Sequence, residues 1–236
     1  MLVPLTRQKF EQLIPILATG AQYKYYWGKF PDFLQRFSIS VGIVLVILVL
    51  ESFLQDYAQV LLLIGIIGGL YWLWGPVFWS SKRNLECRRY KYSGFWRGEV
   101  FDAFVTDEII GKEETTNKRG DLVIVENREK KLNLEVGDET GFSTQLQVSL
   151  RRDHRSLKPG DTAEMLVMSN RPDLSRISKI SDIFLPELDL WVSDYPYLRR
   201  DEFADLGRQI QQETEREREP RRKKRSRKPS RTDDDY

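Results

Sequence analysis

Two long runs with almost no charge, separated by a short polar break, restrict this chain more than any other feature. The first takes in Phe33, Leu34 and then "FSISVGIVLVILVLESFL" over residues 37–54, about 22 residues in all. The break is "QDYAQ". The second run covers about residues 57–79 and ends in "YWLWGPVFW". A helix needs about 20 apolar residues to cross a hydrocarbon layer of about 30 Å, and both runs meet that length. Burying two such helices in a water-soluble fold would take a large apolar surround, whereas the flanks are strongly charged. A mean hydropathy of −0.47 only blends these two kinds of region. A cleaved leader is not expected, because the first run starts late, is too long and is followed by no small-x-small cleavage site. The expectation is a membrane α-helical hairpin over residues 33–80, with two antiparallel transmembrane helices.

Flanking charge predicts the orientation. Arg7, Lys9, Lys24, Lys29 and Arg36 precede the hairpin, and Lys82, Arg83, Arg88, Arg89 and Lys91 follow it, while the break holds no lysine or arginine. The positive-inside rule then puts both termini on the cytoplasmic (or stromal) side of a multi-pass integral membrane protein. Trp72, Trp74 and Trp79 read as a membrane-interface belt. "YKYYWGKF" (residues 23–30) reads as chain in the headgroup zone, within an interfacial N-terminal segment, residues 1–32. Gly65 and Gly69 form a G-x-x-x-G pair for helix packing, read as contact inside the hairpin in preference to dimerisation. Glu51, an acid near the far end of the first run, is a functional candidate by default, although it lies about one turn from the polar break and can reach water there. Gly75-Pro76 predicts a kink or an end in the second helix.

Beyond the hairpin the apolar period changes to two. In "KLNLEV" Leu132, Leu134 and Val136 share a face, and in "GFSTQLQVSL" Phe142, Leu146, Val148 and Leu150 do the same. "GFWRGEVFDAFVTD", "DLVIVEN", "TAEMLVMS" and "RISKISDIFL" add further strands. "ENREK", "GDETG" and "KPGD" carry turn chemistry. Five or six short strands over residues 88–184 predict a small all-β, barrel-like cytoplasmic domain of OB or SH3 type, which would leave no open sheet edge. An aromatic and acidic extension follows over residues 185–207. Its Trp191, Tyr195 and Tyr197 either wrap back onto the barrel or form a docking segment for a partner. Residues 199–219 read as a charged surface helix, and residues 208–236 as a charged tail with the composition of disorder. The polybasic run Arg221, Arg222, Lys223, Lys224 and Arg225 fits anionic lipid or an acidic protein surface as well as it fits plain solvated chain.

Chemistry is harder to find. A net charge of +2 makes no case for nucleic acid as a partner. Cys87 is the only cysteine, so neither a disulfide framework nor a multi-cysteine metal site is expected. His154 is the only histidine and reads as a solvated loop residue. Phosphate-loop, dinucleotide and metalloprotease signatures are all missing from the sequence. No catalytic, cofactor-binding or metal-binding residue is therefore assigned, and no cofactor is expected.

The opening "MLVPLTRQKFEQLIPILATGAQYKYYWGKFPDFLQR", followed by two apolar runs and a β-rich region, resembles a family of conserved two-span membrane proteins of cyanobacteria and chloroplasts. Its members are often loosely labelled phosphate ABC transporter permeases. The resemblance covers roughly residues 1–200. It implies a thylakoid or plasma membrane location and a place beside photosynthetic complexes. The permease label fits the residues poorly, since two spans cannot by themselves enclose a polar path and Glu51 is the only charge inside them. The reading that follows is a membrane-anchored, non-enzymatic interaction module that assists assembly or stability of a membrane complex. One alternative is an accessory transporter subunit working near Glu51. Another is an enzyme using Cys87 or His154.

Overall fold

A computed structural model describes residues 1–28, 30–116 and 122–226. In chain order the elements are β1 (Leu2–Leu5), α1 (Arg7–Leu13), α2 (Gly20–Trp27), α3 (Phe30–Phe53), α4 (Ala58–Gly69), α5 (Tyr71–Arg88), β2 (Tyr92–Thr116), β3 (Leu122–Gly137), β4 (Ser143–Ser149), β5 (Thr162–Ser169), β6 (Lys179–Leu185), β7 (Leu190–Val192) and α6 (Arg200–Ser226). Residues 1–199 form one compact unit and residues 200–236 a second.

The strands build one antiparallel sheet in the order β4-β3-β2-β5-β6-β7, with β1 also on β2. Its ends are β4 and β7, so the sheet is open where a closed OB- or SH3-like barrel was expected. The length of β2 explains the difference. Its first part pairs with β5 from Tyr92↔Ser169 to Glu99↔Thr162 and carries β1 from Leu2↔Trp96 to Leu5↔Ser93. From Glu99 onward it pairs with β3 as far as Thr116↔Leu122. A strand used in two halves extends the sheet instead of curling it shut. The charged stretch "ENREK", expected to be a turn, is the middle of β3 and pairs with residues 107–112. A two-stranded ribbon wet on both faces carries charge on both, which imitates turn composition. Pairing with β4 covers only residues 131–137 of β3, so the rest of that ribbon is a bare hairpin.

Cross-strand pairs decide the two faces of the sheet. Trp96, Met165, Val167, Ile183, Leu134 and Val136 share one buried cluster. Phe95 and Leu166 are a cross-strand pair on the opposite face, and both are fully buried. β5 is therefore apolar on both sides, and the four residues from Met165 to Met168 are all 0% exposed. The N-terminal segment expected to lie in the membrane interface is partly sheet and core: β1 is hydrogen-bonded to β2, and Phe10, Leu13 and Ile14 are buried. Thr6 starts α1 by accepting a hydrogen bond from the Lys9 N–H (3.3 Å).

α3 is 24 residues long and is apolar enough to cross a bilayer, yet only 6% of its most apolar window is buried. A one-turn helix at Gln55–Tyr57 leads into α4. The second run is not one straight helix. The helix pair Gln55–Gly69 and Tyr71–Arg88 bends by 70° at Leu70, and Pro76 sits inside α5 without marking the bend. Such a break in an apolar setting strands backbone groups. Two side chains take them up. Trp72 N–H donates to Ser40 Oγ of α3 (3.1 Å), and the Trp74 indole N–H donates to the Ile67 carbonyl (2.8 Å). α3 and α4 pack through glycine. A Cβ at Gly68 would lie 2.4 Å from Ile43 Cγ2, at Gly69 3.0 Å from Val44 Cγ2, and at Gly65 3.3 Å from Ile47 Cγ2.

Within the second unit, α6 places Phe203, Leu206 and Ile210 on one stripe, with charged residues between them.

Candidate functional site

The densest polar arrangement lies where α2, the second half of α5 and residues 194–198 meet. Thr19 and Gln22 form a capping box at the start of α2. The Gln22 side chain does more than cap. Its Oε1 accepts from Thr19 N–H (3.1 Å) and from Asn84 Nδ2 (2.8 Å). Its Nε2 donates to Asn84 Oδ1 (3.0 Å), to the Pro196 carbonyl (2.9 Å) and to the Tyr197 carbonyl (3.3 Å). Gln22 and Asn84 are each 0% exposed, and their amides face one another in a reciprocal pair. Ser80 Oγ adds a bond to the Gln22 carbonyl (3.3 Å). One amide thus ties α2, α5 and the late segment at Pro196 and Tyr197 to one another.

Beside it, Arg83 sits against two tyrosines. Its guanidinium lies 4.3 Å from the Tyr195 ring centre and 5.2 Å from that of Tyr197. Its Nε donates to Tyr197 Oη (2.9 Å), and Asp194 is 3.6 Å away. Lys179 Nζ lies 4.6 Å from the Tyr197 ring centre. Tyr195 meets Tyr25, Tyr26 and Tyr197 edge to face. The Tyr197 N–H donates to buried Asp182 (2.8 Å). Burial pushes the Tyr195 hydroxyl above its ordinary range. Of the two expectations for Tyr195 and Tyr197, wrapping back onto the chain or docking a partner, their burial in the chain's own packing fits the first. Trp191 is half-buried on β7 and stacks on Phe184, with ring centres 4.5 Å apart.

A second tie caps the C-terminal end of α5, about one turn beyond Asn84. Arg7 Nη1 and Nη2 donate to the carbonyls of Tyr90 (2.7 Å) and Arg88 (2.8 Å), which the helix end leaves open. Arg88 reaches back to the Ile14 carbonyl (3.1 Å) and to Glu11 (2.6 Å), and Arg7 also holds Glu11 (2.7 Å). The Arg7 hydrogen bond, with the charge of Arg88, keeps the Glu11 carboxyl below its ordinary range.

Neither the candidate nucleophile nor the candidate base is activated. Cys87 is fully buried, and burial pushes its thiol up, away from the thiolate that reacts. His154 is 5% exposed, not solvated as expected, because a one-turn helix at Arg152–Ser156 folds it inward. Its Nδ1 accepts from the Arg151 N–H (3.2 Å), and burial lowers its pKa. Among the described residues no group of three or more His, Cys, Asp or Glu side chains converges.

On the hairpin, Trp74 and Trp79 point outward, while Trp72 packs edge to face with Trp27 and Phe33. Glu51 is exposed in the last turn of α3. The side chains of Arg221, Arg222, Lys223, Lys224 and Arg225 lie outside the described residues. Gln22 and Asn84 were missed from sequence. The Thr19-x-x-Gln22 spacing is a readable capping box, but nothing local marks Asn84 as its partner.

No curated protein and no solved structure matches the chain. A family model does, described as a family of unknown function (DUF8619), and it covers residues 3–217. The chain belongs to this family.

Proposed function

We propose that the protein is a membrane-anchored, non-enzymatic interaction module that assists assembly or stability of a larger membrane complex. One observation carries the anchoring. Away from the face where α3 and α4 pack on each other their apolar side chains point outward, with Leu45, Val46, Leu62 and Leu63 each more than half exposed. A core helix of a water-soluble protein would bury them. A removable leader is a poor alternative, because β1, α1 and α2, which precede α3, are built into the sheet and the junction. In this reading α3 and the bent α4–α5 limb form a hairpin in the bilayer. Both termini then stay on the cytoplasmic or stromal face, and the tip carries Glu51, Gln55 and Asp56 toward the far side. An acid at mid-bilayer costs about 2.5–3.5 kcal/mol, so these groups belong in the far headgroups.

The two junction ties hold the sheet at a fixed attitude to the membrane, which concentrates it for membrane partners. The bare β2–β3 ribbon supports an interaction role, with Ile109, Ile110, Leu122 and Ile124 exposed along it. A two-stranded ribbon is marginal alone in water, and it gains stability from a neighbour. The resemblance to two-span proteins of cyanobacteria and chloroplasts directs the search to thylakoid or plasma membrane complexes.

Two measurements test this. The full chain should stay in the membrane pellet through an alkaline wash, and release into the supernatant would end the anchored reading. Affinity purification in mild detergent should recover it within a larger assembly. Recovery of the chain alone, from membranes that retain it, would refute the assembly role.

A further inference from the structure

The hairpin is shorter than the membrane it is read as entering. Between Arg36 and Glu51, α3 has a charge-free stretch of 14 residues, residues 37–50. At 1.5 Å per residue that is about 21 Å. The return limb gives an independent measure. α4 has 12 residues, about 18 Å of rise. α5 then turns away by 70°, so its apolar first half advances only about 5 Å further along the hairpin axis. The Trp72-to-Ser40 hydrogen bond fixes the level at which α5 departs, eleven residues before Glu51 along α3. The two limbs therefore agree on about 21–23 Å of apolar thickness, where an average hydrocarbon layer is about 30 Å. Tilting the hairpin would lower its reach further.

Polar groups close both ends of this stretch. At the near end Arg36 donates to the Asp32 carbonyl (3.1 Å) and to the Trp27 carbonyl, and its guanidinium lies over the Trp27 ring. At the far end stand Glu51, Gln55 and Asp56. The outward rings of Trp74, Phe78 and Trp79 hold the in-plane α5 at the near interface. Leaving two carboxylates in hydrocarbon is costlier than compressing the lipid around one hairpin by about 8 Å, since each ångström of mismatch costs only a small fraction of what one such carboxylate does.

We propose that the hairpin is a short span fitted to a hydrocarbon layer of about 22 Å, so that it thins the bilayer around it and gathers short-chain lipid. The proposal rests on the anchored reading above. The partner it names is a lipid surface of a particular thickness. The in-plane α5, bent away from α4 at Leu70, is the element that sets that thickness.

The test reconstitutes the full chain in vesicles of dimyristoyl, dioleoyl or dierucoyl phosphatidylcholine, with Cys87→Ser and a fluorophore on Gln55→Cys. Iodide trapped inside vesicles that carry the β domain outside should quench the tip strongly in dimyristoyl lipid and weakly in dierucoyl lipid. In mixed vesicles, energy transfer from the belt tryptophans should show about fivefold enrichment of labelled short-chain over long-chain lipid. A tip shielded from iodide at every thickness would mean a re-entrant loop and overturn the proposal. Equal quenching at every thickness, without lipid enrichment, would overturn it as well. In both cases the protein resists an alkaline wash and the anchored reading stands. Release of the protein from all three vesicle types would instead sink that reading and this proposal together.

Discussion

Leu63 of α4 and Leu134 of β3 are the same residue in opposite settings, one 59% exposed and the other 0%. Around Leu134 the sheet follows the rule for water: apolar side chains leave the solvent, at about 25 cal/mol for each Å² removed. Around Leu63 the side chains stay outside; in the proposed anchored reading their surround is lipid, which is as apolar as leucine, so removing a side chain from it gains little. What holds α3 to α4 is close contact through Gly65, Gly68 and Gly69, and the Trp72-to-Ser40 hydrogen bond ties α3 to the start of α5 just past the bend. The two regions are therefore sensitive to different substitutions.

Leu134→Ala should destabilise the chain by about 2–5 kcal/mol, read as a lower unfolding midpoint in denaturant. Leu63→Ala should stay within about 0.5 kcal/mol under the same conditions. Equal losses would break the comparison, since they would mean that Leu63 packs against protein. The junction between the regions should behave like a core of a third kind, polar and fully paired. Asn84→Ala leaves the buried Gln22 amide without two partners and should cost about 1–3 kcal/mol. Replacing both amides by leucine should recover part of that loss. If the single change were harmless, Gln22 and Asn84 would not be what fixes α2 on α5.

Much of this division is legible in the sequence, and the physical reason is locality. The charge-free run that becomes α3 and the alternation in "KLNLEV" and "TAEMLVMS" report burial through neighbouring residues alone. β1 is invisible for the opposite reason. "LVPL" is four residues with a proline, and its partner on β2 lies some ninety positions away. The bend was sought at Gly75-Pro76 and occurs at Leu70. Gly68 and Gly69 weaken the helix there, and the bond from Trp72 to Ser40, 32 residues distant, rewards the break. The junction depends on still longer reach, since Gln22 contacts Pro196 across 174 residues. Tyr195 and Tyr197 stay open between packing and docking only while that contact is unknown.

The hairpin's own tightest glycine, Gly68, sharpens the contrast within it. Gly68→Ala puts a methyl group into Ile43, whose side chain can turn only partly aside, and should cost about 1 kcal/mol. The same change at Gly42, where a Cβ meets nothing within 4 Å, should be neutral or slightly stabilising. Thermal unfolding in lipid nanodiscs, followed by tryptophan emission from the belt, separates the two outcomes. Identical behaviour would remove close packing as the force that holds the limbs together.

The smallest effects come from two carboxylates with opposite signs. Arg7 and Arg88 hold Glu11 below its ordinary pKa, so its contribution is complete above the unfolded value, about 4.3, and is lost as pH falls through the folded value. Burial raises Glu164 on β5 against the pull of Arg97, 3.5 Å away. Its contribution is complete below the unfolded value and is lost as pH rises through the folded one. Below the unfolded value the junction should therefore gain stability with rising pH, and above that value the sheet should lose some. Glu11→Gln should flatten the acid limb of the unfolding midpoint against pH, and Glu164→Gln should lift the neutral limb. If both changes moved the same limb, the junction and the sheet would be titrating as one body, and the ties through Arg7 and Arg88 would be part of the core.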